Sequence, residues 1–569
     1  MRSSNGCWTC RLRRKRCDEA HPVCDSCAAL CITCHFDTTN RPDWMDGGVK
    51  QEEMASRIKC EIKERAHCRR GQRAVVDRVI ANVSSGPSLP TPSFTPFETT
   101  PSTNNDNMET TPSQRGAACT LLSKEARENL AFGPSESVLL AFYLEHLLPF
   151  LFPFYRPSFL QGGRAWIFEL MISSPVVRQA TLCQGSYFFS LVRGMGSEAE
   201  VLEKALTQIT DTFGVLRQAL QVVEGSGISQ HLHGAVRILA SIIQIQYFQN
   251  AIPRFHDSWQ THLSASIALF RQLLDSVIES AESRERFAAI MSRLGPSPTS
   301  TWNSSIENGQ IPTPEQAAFR FSSAVVIMED TIASTALQEQ PTLYDYHRSL
   351  LGTTEGTSGS PINLESVMGV KNWVLINIGQ IAALDAWKQQ RKRAGALDVV
   401  ELVQRHEAIK DSLVVRLMNL ENKPTGGAKD PGNLLDVFAP PPGQSDLVSQ
   451  VWAHAAILYL SVVVSGWQPA SLEVRYHISR IIDLLKLQAS PTLLRTMVWP
   501  FCVAGCLAQP TQEAQFREMT ATLQPRSIFG TVHIALEIME NVWRSRDAEV
   551  TTRDFAMCFR VQGNSVLLI

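Results

Sequence analysis

At 569 residues the chain is too long for one ordinary domain, and its 44% apolar content is enough to build a large core. A formal net charge of −2 excludes a uniformly basic protein that coats nucleic acid without discrimination. Affinity for an anionic partner must come from a local cluster of charge.

Such a cluster stands at the start of the chain. Cys7, Cys10, Cys17, Cys24, Cys27 and Cys34 follow the spacing C-x2-C-x6-C-x6-C-x2-C-x6-C, and Arg11-Leu12-Arg13-Arg14-Lys15-Arg16 lies between the second and third. A C-x2-C pair lets two thiolates grip the same tetrahedral ion, and structural zinc closes its shell with four Cys or His ligands. Two ions need eight ligand bonds, so with six cysteines two sulfurs must each bind both metals. Two Zn2+ and six thiolates sum to a negative cluster, which the adjacent cations offset. So short a segment cannot bury an apolar core, and metal binding must supply most of its folding free energy.

The residues alone leave an alternative open. Cys31-Ile32-Thr33-Cys34 is a third C-x2-C pair, which allows two separate four-ligand sites completed by His21 or His35. Metal-free reduced thiols would leave the spacing unexplained. Disulfides are not expected, because no signal peptide precedes the cluster and the remaining cysteines are scattered. A helix starting near Cys7 would put Arg11, Arg14 and Lys15 on one face, with one base-reading side chain and phosphate-holding neighbours. The bland counterpart is a solvated basic face or a nuclear-import signal, a role that Lys63 to Arg73 could also serve.

The run Gly6-Cys7-Trp8-Thr9-Cys10-Arg11-Leu12-Arg13-Arg14-Lys15-Arg16-Cys17-Asp18-Glu19, followed by Pro22-Val23-Cys24-Asp25-Ser26-Cys27, resembles the fungal binuclear zinc-cluster transcription regulators. The resemblance implies two Zn2+ ions on Cys7, Cys10, Cys17, Cys24, Cys27 and Cys34, with Cys7 and Cys24 bridging and Cys31 a spectator. Pro22 stands where that family has a loop proline. The implied partner is double-stranded DNA with CGG-type half-sites, read by the basic residue four after the second cysteine. That residue is Arg14 here and most often Lys in the family; Arg can make two hydrogen bonds to the guanine edge. Arg11, Arg13, Lys15 and Arg16 would contact the DNA beside it. A nuclear location and contact with the transcription machinery follow from the same kinship.

After a zinc module of residues 1–40, residues 41–83 form a charged, helix-prone linker. Met54, Ile58, Ile62, Val75, Val76, Val79, Ile80 and Val83 offer apolar positions for a homodimer seam. The basic stretch Lys63 to Arg73 interrupts that seam, so a helix tracking DNA phosphates competes with it. Residues 84–116 are rich in Ser, Thr, Pro and Asn and are expected to be a disordered linker. Its Thr-Pro dipeptides at 91, 95, 100 and 111 are read as composition rather than kinase targets.

Residues 117–569 are expected to be a large all-α domain. Val236, Leu239, Ile242, Ile243 and Tyr247 recur at three and four, and Ile481, Ile482, Leu484, Leu485 and Leu487 crowd one helical segment. Loops are expected near 294–312, 352–363 and 423–445. The apolar stretch Val451 to Trp467 is at the short edge of a bilayer span and is broken by His454, Ser461 and Ser465, so it reads as a buried helix. Tyr143 to His146, Leu151 to Phe159, Gly162 to Trp166 and Ser174 to Ala180 resemble the second type of fungal-specific transcription factor domain. That resemblance implies a helical regulatory domain and kinship with regulators of secondary-metabolite gene clusters.

Catalytic constellations are not found. His231, His233, His256 and His262 lack the helical spacing of a metalloprotease pair, and there is no P-loop or nucleophile elbow. The aromatic and Pro residues at 148–159 are expected to pack a helical corner, while a small-molecule effector pocket between helices is the alternative. The expectation is a mostly α, non-enzymatic DNA-binding regulator. A metabolic enzyme or protein-interaction protein with an appended zinc module is the competing reading.

Overall fold

Helices form where apolar residues recur at three and four, and in the larger part of the chain they pack around two helices that are buried on nearly every side. The computed structural model describes residues 6–19, 24–28, 33–35, 42, 44–59, 134–157, 162–194, 197–250, 259–277, 282–295, 311–353, 359–422, 443–488, 490–546 and 553–569. The chain divides into two units, Met1–Gly116 and Ala117–Ile569. Ile62, Lys63 to Arg73, Val75 to Val83, the Thr/Pro tract 84–116 and His256 lie outside the described residues, as do most of the expected loops 294–312 and 423–445 and part of 352–363. Helices end at Leu294, Leu351 and Glu421 and resume at Pro314, Glu365 and Gln444 around those three loops.

The first organising helix is Pro314–Leu337. Its start is fixed by a capping box: Thr313 Oγ1 accepts from Gln316 N–H at 3.2 Å and Gln316 Oε1 accepts from Thr313 N–H at 2.9 Å, with Pro314 at the first turn. Gln316 Nε2 also donates to the Met291 carbonyl at 2.7 Å, tying this start to the helix Ser283–Leu294. Burial continues almost without break from Glu315 to Ala336. Ser323 and Thr331 stay compatible with it by donating to the Phe319 and Ile327 carbonyls one turn back. Leu232–Asn250, Ala165–Ser173 and Asn372–Arg393 pack around this helix.

The second organising helix, Gln444–Ser465, contains most of the membrane-like stretch. Among the described residues it alone is long and apolar enough to cross a bilayer, yet 78% of its most apolar window is buried inside the fold. Trp452 stacks on Trp499 at 5.5 Å and 13°, and Trp499 Nε1 donates to Thr335 Oγ1 at 2.9 Å, linking the two organising helices. Close approach elsewhere depends on Gly505, where a Cβ would fall 1.7 Å from the Met539 sulfur.

The expected helical positions are largely interior. Val236, Leu239, Ile242, Ile243 and Tyr247 are buried in Leu232–Asn250, as are Ile481, Ile482, Leu484 and Leu485 in Leu472–Lys486. Leu487 departs from that pattern: it is 72% exposed, because the helix ends at Lys486 and Leu487 becomes its C-terminal cap. In the described part of the corner at 148–159, Phe152 and Tyr155 pack into the core, while Phe154, Arg156 and Pro157 border a cavity. Phe152 and Tyr155 each meet Phe321 at 4.8 Å, and Trp166 Nε1 donates to the Tyr155 hydroxyl at 2.7 Å. His262 stacks on Phe213 at 5.6 Å and serves packing. The strands among the described residues are Arg560–Val561 and Asn564–Ser565, an antiparallel pair whose turn residues Gln562 and Gly563 both have positive φ.

Glu329, on the Pro314–Leu337 helix, is fully buried, and neither carboxylate oxygen has a hydrogen-bond partner among the described residues. Burial pushes its pKa up to about 8, with the Gln246 amide opposing the shift, so the side chain is mostly protonated at neutral pH. A raised folded pKa contributes stability that is fully present below about pH 4.3 and is lost as pH rises through the folded value. Thermal unfolding between about pH 5 and about pH 9 should therefore show wild type losing stability relative to Glu329→Gln as pH rises. A pH-independent difference between the two proteins would refute the assignment.

Candidate metal centre and nucleic-acid interface

The N-terminal fold is built from the cysteines outward. Cys7 caps the helix Trp8–Leu12, its Sγ accepting from Cys10 N–H at 3.3 Å. The same sulfur lies 3.7 Å from Cys24 Sγ and 3.8 Å from Cys27 Sγ, while Cys10 Sγ lies 3.6 and 3.8 Å from those two. Cys17 Sγ is reached by Cys7 N–H at 3.4 Å. The sulfurs fall into two groups of four, Cys7, Cys10, Cys17 and Cys24, and Cys7, Cys24, Cys27 and Cys34, with all atoms of a group within 4.8 Å of one another. Cys7 and Cys24 belong to both.

These positions fit two metal ions. A tetrahedral zinc with Zn–S bonds of 2.3 Å separates its sulfurs by about 3.8 Å, and the closest sulfur pairs here lie 3.6–3.8 Å apart. Without a cation the arrangement is costly. Burial drives Cys10 up to about 11 and drives Cys7 and Cys27 up as well. Burial raises Cys24 too, but the Cys27 N–H and the neighbouring thiols outweigh it and bring that thiol to about 7. A divalent ion replaces the thiol protons and removes the repulsion among thiolates.

His35 belongs to neither sulfur group, and its ring meets Trp44 at 5.4 Å. Its carbonyl accepts from Trp8 N–H at 2.8 Å, which helps hold Cys34 beside the first helix. His21, Pro22 and Cys31 lie outside the described residues.

Three contacts escaped the sequence reading. Thr9, fully buried between two cysteines, accepts from His35 N–H at 3.0 Å and donates to the Thr33 carbonyl at 2.9 Å. Met54 and Ile58, on the helix at 49–59, pack against the cysteine cluster, with Ile58 3% exposed. The Arg11 guanidinium lies 4.6 Å over the Trp8 ring. A buried Thr inside the C-x2-C pair, and Met54 and Ile58 spaced by four, were the signals available.

The basic run takes a different backbone path from a continuous helix. The first helix stops at Leu12, and Arg14 has φ 56°. Arg14 N–H donates to the Arg11 carbonyl and Lys15 N–H to the Cys10 carbonyl, at 3.1 and 3.0 Å, which is a Schellman closure with Arg14 at the left-handed position. Arg11, Arg14 and Lys15 therefore do not share a helical face. Arg11, Arg14, Lys15 and Arg16 are exposed, whereas Arg13 is half-buried with Nη1 enclosed and without a hydrogen-bond partner among the described residues. The Ser26 hydroxyl holds the Arg16 carbonyl at 3.0 Å, connecting the end of the run to the helix Asp25–Ala28.

Comparison with known proteins gives this geometry its context. The fungal Zn(2)-Cys(6) binuclear cluster domain matches residues 5–43, and the fungal specific transcription factor domain matches residues 138–569. Transcription factor dibT of Pestalotiopsis microspora is 33% identical across 99% of each chain. Pestheic acid cluster transcriptional regulator 3 of Pestalotiopsis fici is 27% identical, over 96% of this chain and 95% of its own. Ustiloxin B cluster transcription factor ustR of Aspergillus flavus is 25% identical, over 97% of this chain and 95% of its own. No solved structure matches. The chain belongs to the fungal Zn(2)-Cys(6) binuclear-cluster transcription factors that carry a fungal specific transcription factor domain, and is a DNA-binding regulator whose N-terminal domain binds two zinc ions rather than an enzyme.

Proposed function

We propose that residues 1–40 read CGG-type half-sites in double-stranded DNA, and that Cys7, Cys10, Cys17, Cys24, Cys27 and Cys34 hold two zinc ions with Cys7 and Cys24 bridging. The observation that carries this reading is the sharing of those two sulfurs between both four-thiol groups, beneath four exposed basic residues. Arg14 is the base-reading side chain. The Schellman turn gives it a backbone direction separate from its neighbours, and its guanidinium can donate two hydrogen bonds to guanine. Arg11, Lys15 and Arg16 hold phosphates, and Arg13 supports the turn while contributing charge.

The protein acts in the nucleus on a pathway-specific gene set, and the names of the pestheic acid and ustiloxin B regulators favour a secondary-metabolite cluster. Residues 117–569 serve regulation, recruit the transcription machinery and respond to a small-molecule effector. Residues 41–83 and 84–116 connect the two parts. A homodimer seam would have to lie beyond residue 59, because Met54 and Ile58 already face the cysteines.

Selection of bound sequences by the full chain at fixed salt should enrich CGG-containing DNA and lose that enrichment on zinc chelation. Recovery of no motif would refute the reading. Arg14→Ala should cost about 1–3 kcal/mol on CGG sites and little on random DNA, whereas Arg16→Ala should weaken both and flatten the salt dependence. Arg14→Gly separates reading from folding: it relieves a left-handed Arg worth about 1 kcal/mol, so zinc retention should hold or improve while specific binding falls. Equal loss of zinc and DNA binding in that variant would place Arg14 in the fold instead.

Chelator titration followed by a zinc-sensitive dye tests the ligand set. Cys34→Ser should release zinc and Cys31→Ser should not; the reverse result would overturn the assignment. Ile58→Ala should lower resistance to chelation, in keeping with the roughly 2–5 kcal/mol cost of truncating a buried Ile. Unchanged resistance would mean that the helix at 49–59 contributes nothing to the centre.

A further inference from the structure

A cavity of about 740 Å³ opens in the helical unit between the Phe154–Pro157 segment, the start of the Pro314–Leu337 helix and the segment Ser360–Val367. Its size suits a small organic molecule. Phe154, Pro157 and Pro361 supply accessible apolar wall, while Arg156 and Arg320 supply cationic groups. Arg320 lies on a helix that is otherwise nearly all interior, yet it is exposed to this space. Among the described residues it has no hydrogen-bond or carboxylate partner. Arg156 spends its Nε–H on the Pro153 carbonyl at 3.2 Å and has no acidic partner among the described residues.

The carboxylate on the described wall does not neutralise these charges. Glu365 is held by Lys371 Nζ at 2.8 Å and by the Ser445 hydroxyl at 2.5 Å. Arg164 adds a third cation nearby and donates to the Tyr155 carbonyl at 2.9 Å. Burial, and then the charge of Arg156, lower the pKa of Arg164; desolvation does the same for Arg320. The region concentrates positive charge beside an apolar wall and leaves guanidinium donors free.

We infer that this cavity binds a small amphiphilic carboxylate, its anionic group on Arg156 and Arg320 and its flat apolar body against Phe154 and Pro361. The inference rests on the effector role proposed for the helical domain and names its site and chemistry. Guanidinium suits this task because its planar fork matches a carboxylate in a two-bond geometry. The apolar wall adds affinity for the body of the ligand without choosing its charge.

Pyrenebutyrate, a fluorescent carboxylate with a flat apolar body, and its neutral methyl ester are suitable probes on the full-length protein. The acid should bind, and the ester about tenfold or more weakly. Arg320→Gln and Arg156→Gln should each weaken the acid by about tenfold and leave the ester unchanged, while Arg320→Lys should retain most of the affinity. Melting temperature and binding to a CGG duplex should not change in these exposed-residue variants. Failure of the acid to bind, equal binding of acid and ester, or equal binding by wild type and Arg320→Gln would overturn the site. A fungal small-molecule extract, tested by its shift of the melting temperature, separates this failure from that of the effector role. Equal shifts in wild type and Arg320→Gln would remove this cavity and keep an effector, whereas no shift in either would remove the effector role itself.

Discussion

The convergence of the N-terminal thiols into two overlapping groups of four is the constraint on which the N-terminal fold depends. Two tetrahedral zinc ions need eight bonds, and the two four-thiol groups have Cys7 and Cys24 in common, as the proposed shared ligation requires. Sharing forces both C-x2-C pairs to face one another, which in turn fixes the short helices Trp8–Leu12 and Asp25–Ala28 that carry them. The apolar surface available to stabilise that arrangement is small: Ile58 and Met54 on one side, with Leu12 nearby. Metal ligation therefore does the work that a core does elsewhere, and the few apolar contacts protect the thiolates from water.

The same compactness explains how the basic run is presented. A continuous helix would have distributed the cations around its surface at 100° intervals, about 3.6 residues to the turn. Instead the helix closes after Leu12, and the left-handed Arg14 turns the chain so that Arg14, Lys15 and Arg16 leave it as an exposed strand of charge. A residue with a Cβ is disfavoured at such a position, where Gly is the usual occupant. An Arg at a place that local conformation would give to Gly is consistent with the base-reading role proposed for Arg14.

The cluster was legible because cysteine spacing and ligand arithmetic are local properties, and the all-α character of the large unit was legible because helical periodicity is local too. What escaped depended on distant partners. Nothing near Thr9 announces that its hydroxyl will bridge Thr33 and His35, and the spacing of Met54 and Ile58 suits a dimer seam as well as it suits packing on the cysteines. The helix end after Leu12 was hidden for another reason: the sequence there has neither Gly nor Pro, so propensity carries no stop signal. Leu487 shows the reverse error, in which an apolar residue next to a strong periodic run belongs to the cap and faces solvent.

In the large unit, the Pro314–Leu337 helix joins two unlike environments. Its interior length carries Glu329 in an apolar setting, and its first turns carry Arg320 at the wall of a cavity. A helix enclosed along most of its length cannot tilt without repacking Leu232–Asn250 and Asn372–Arg393 together. A ligand held by Arg320 acts on the state of the domain only through its different affinity for two such packings. Arg156 and Arg320 sit on separate segments, so an anion that spans them senses the distance between those segments directly. A pair of cations on one helix would bind the same anion with equal strength in either packing and could transmit nothing. The division of the charge between a loop and the central helix is thus the property that would make this cavity regulatory rather than merely adhesive.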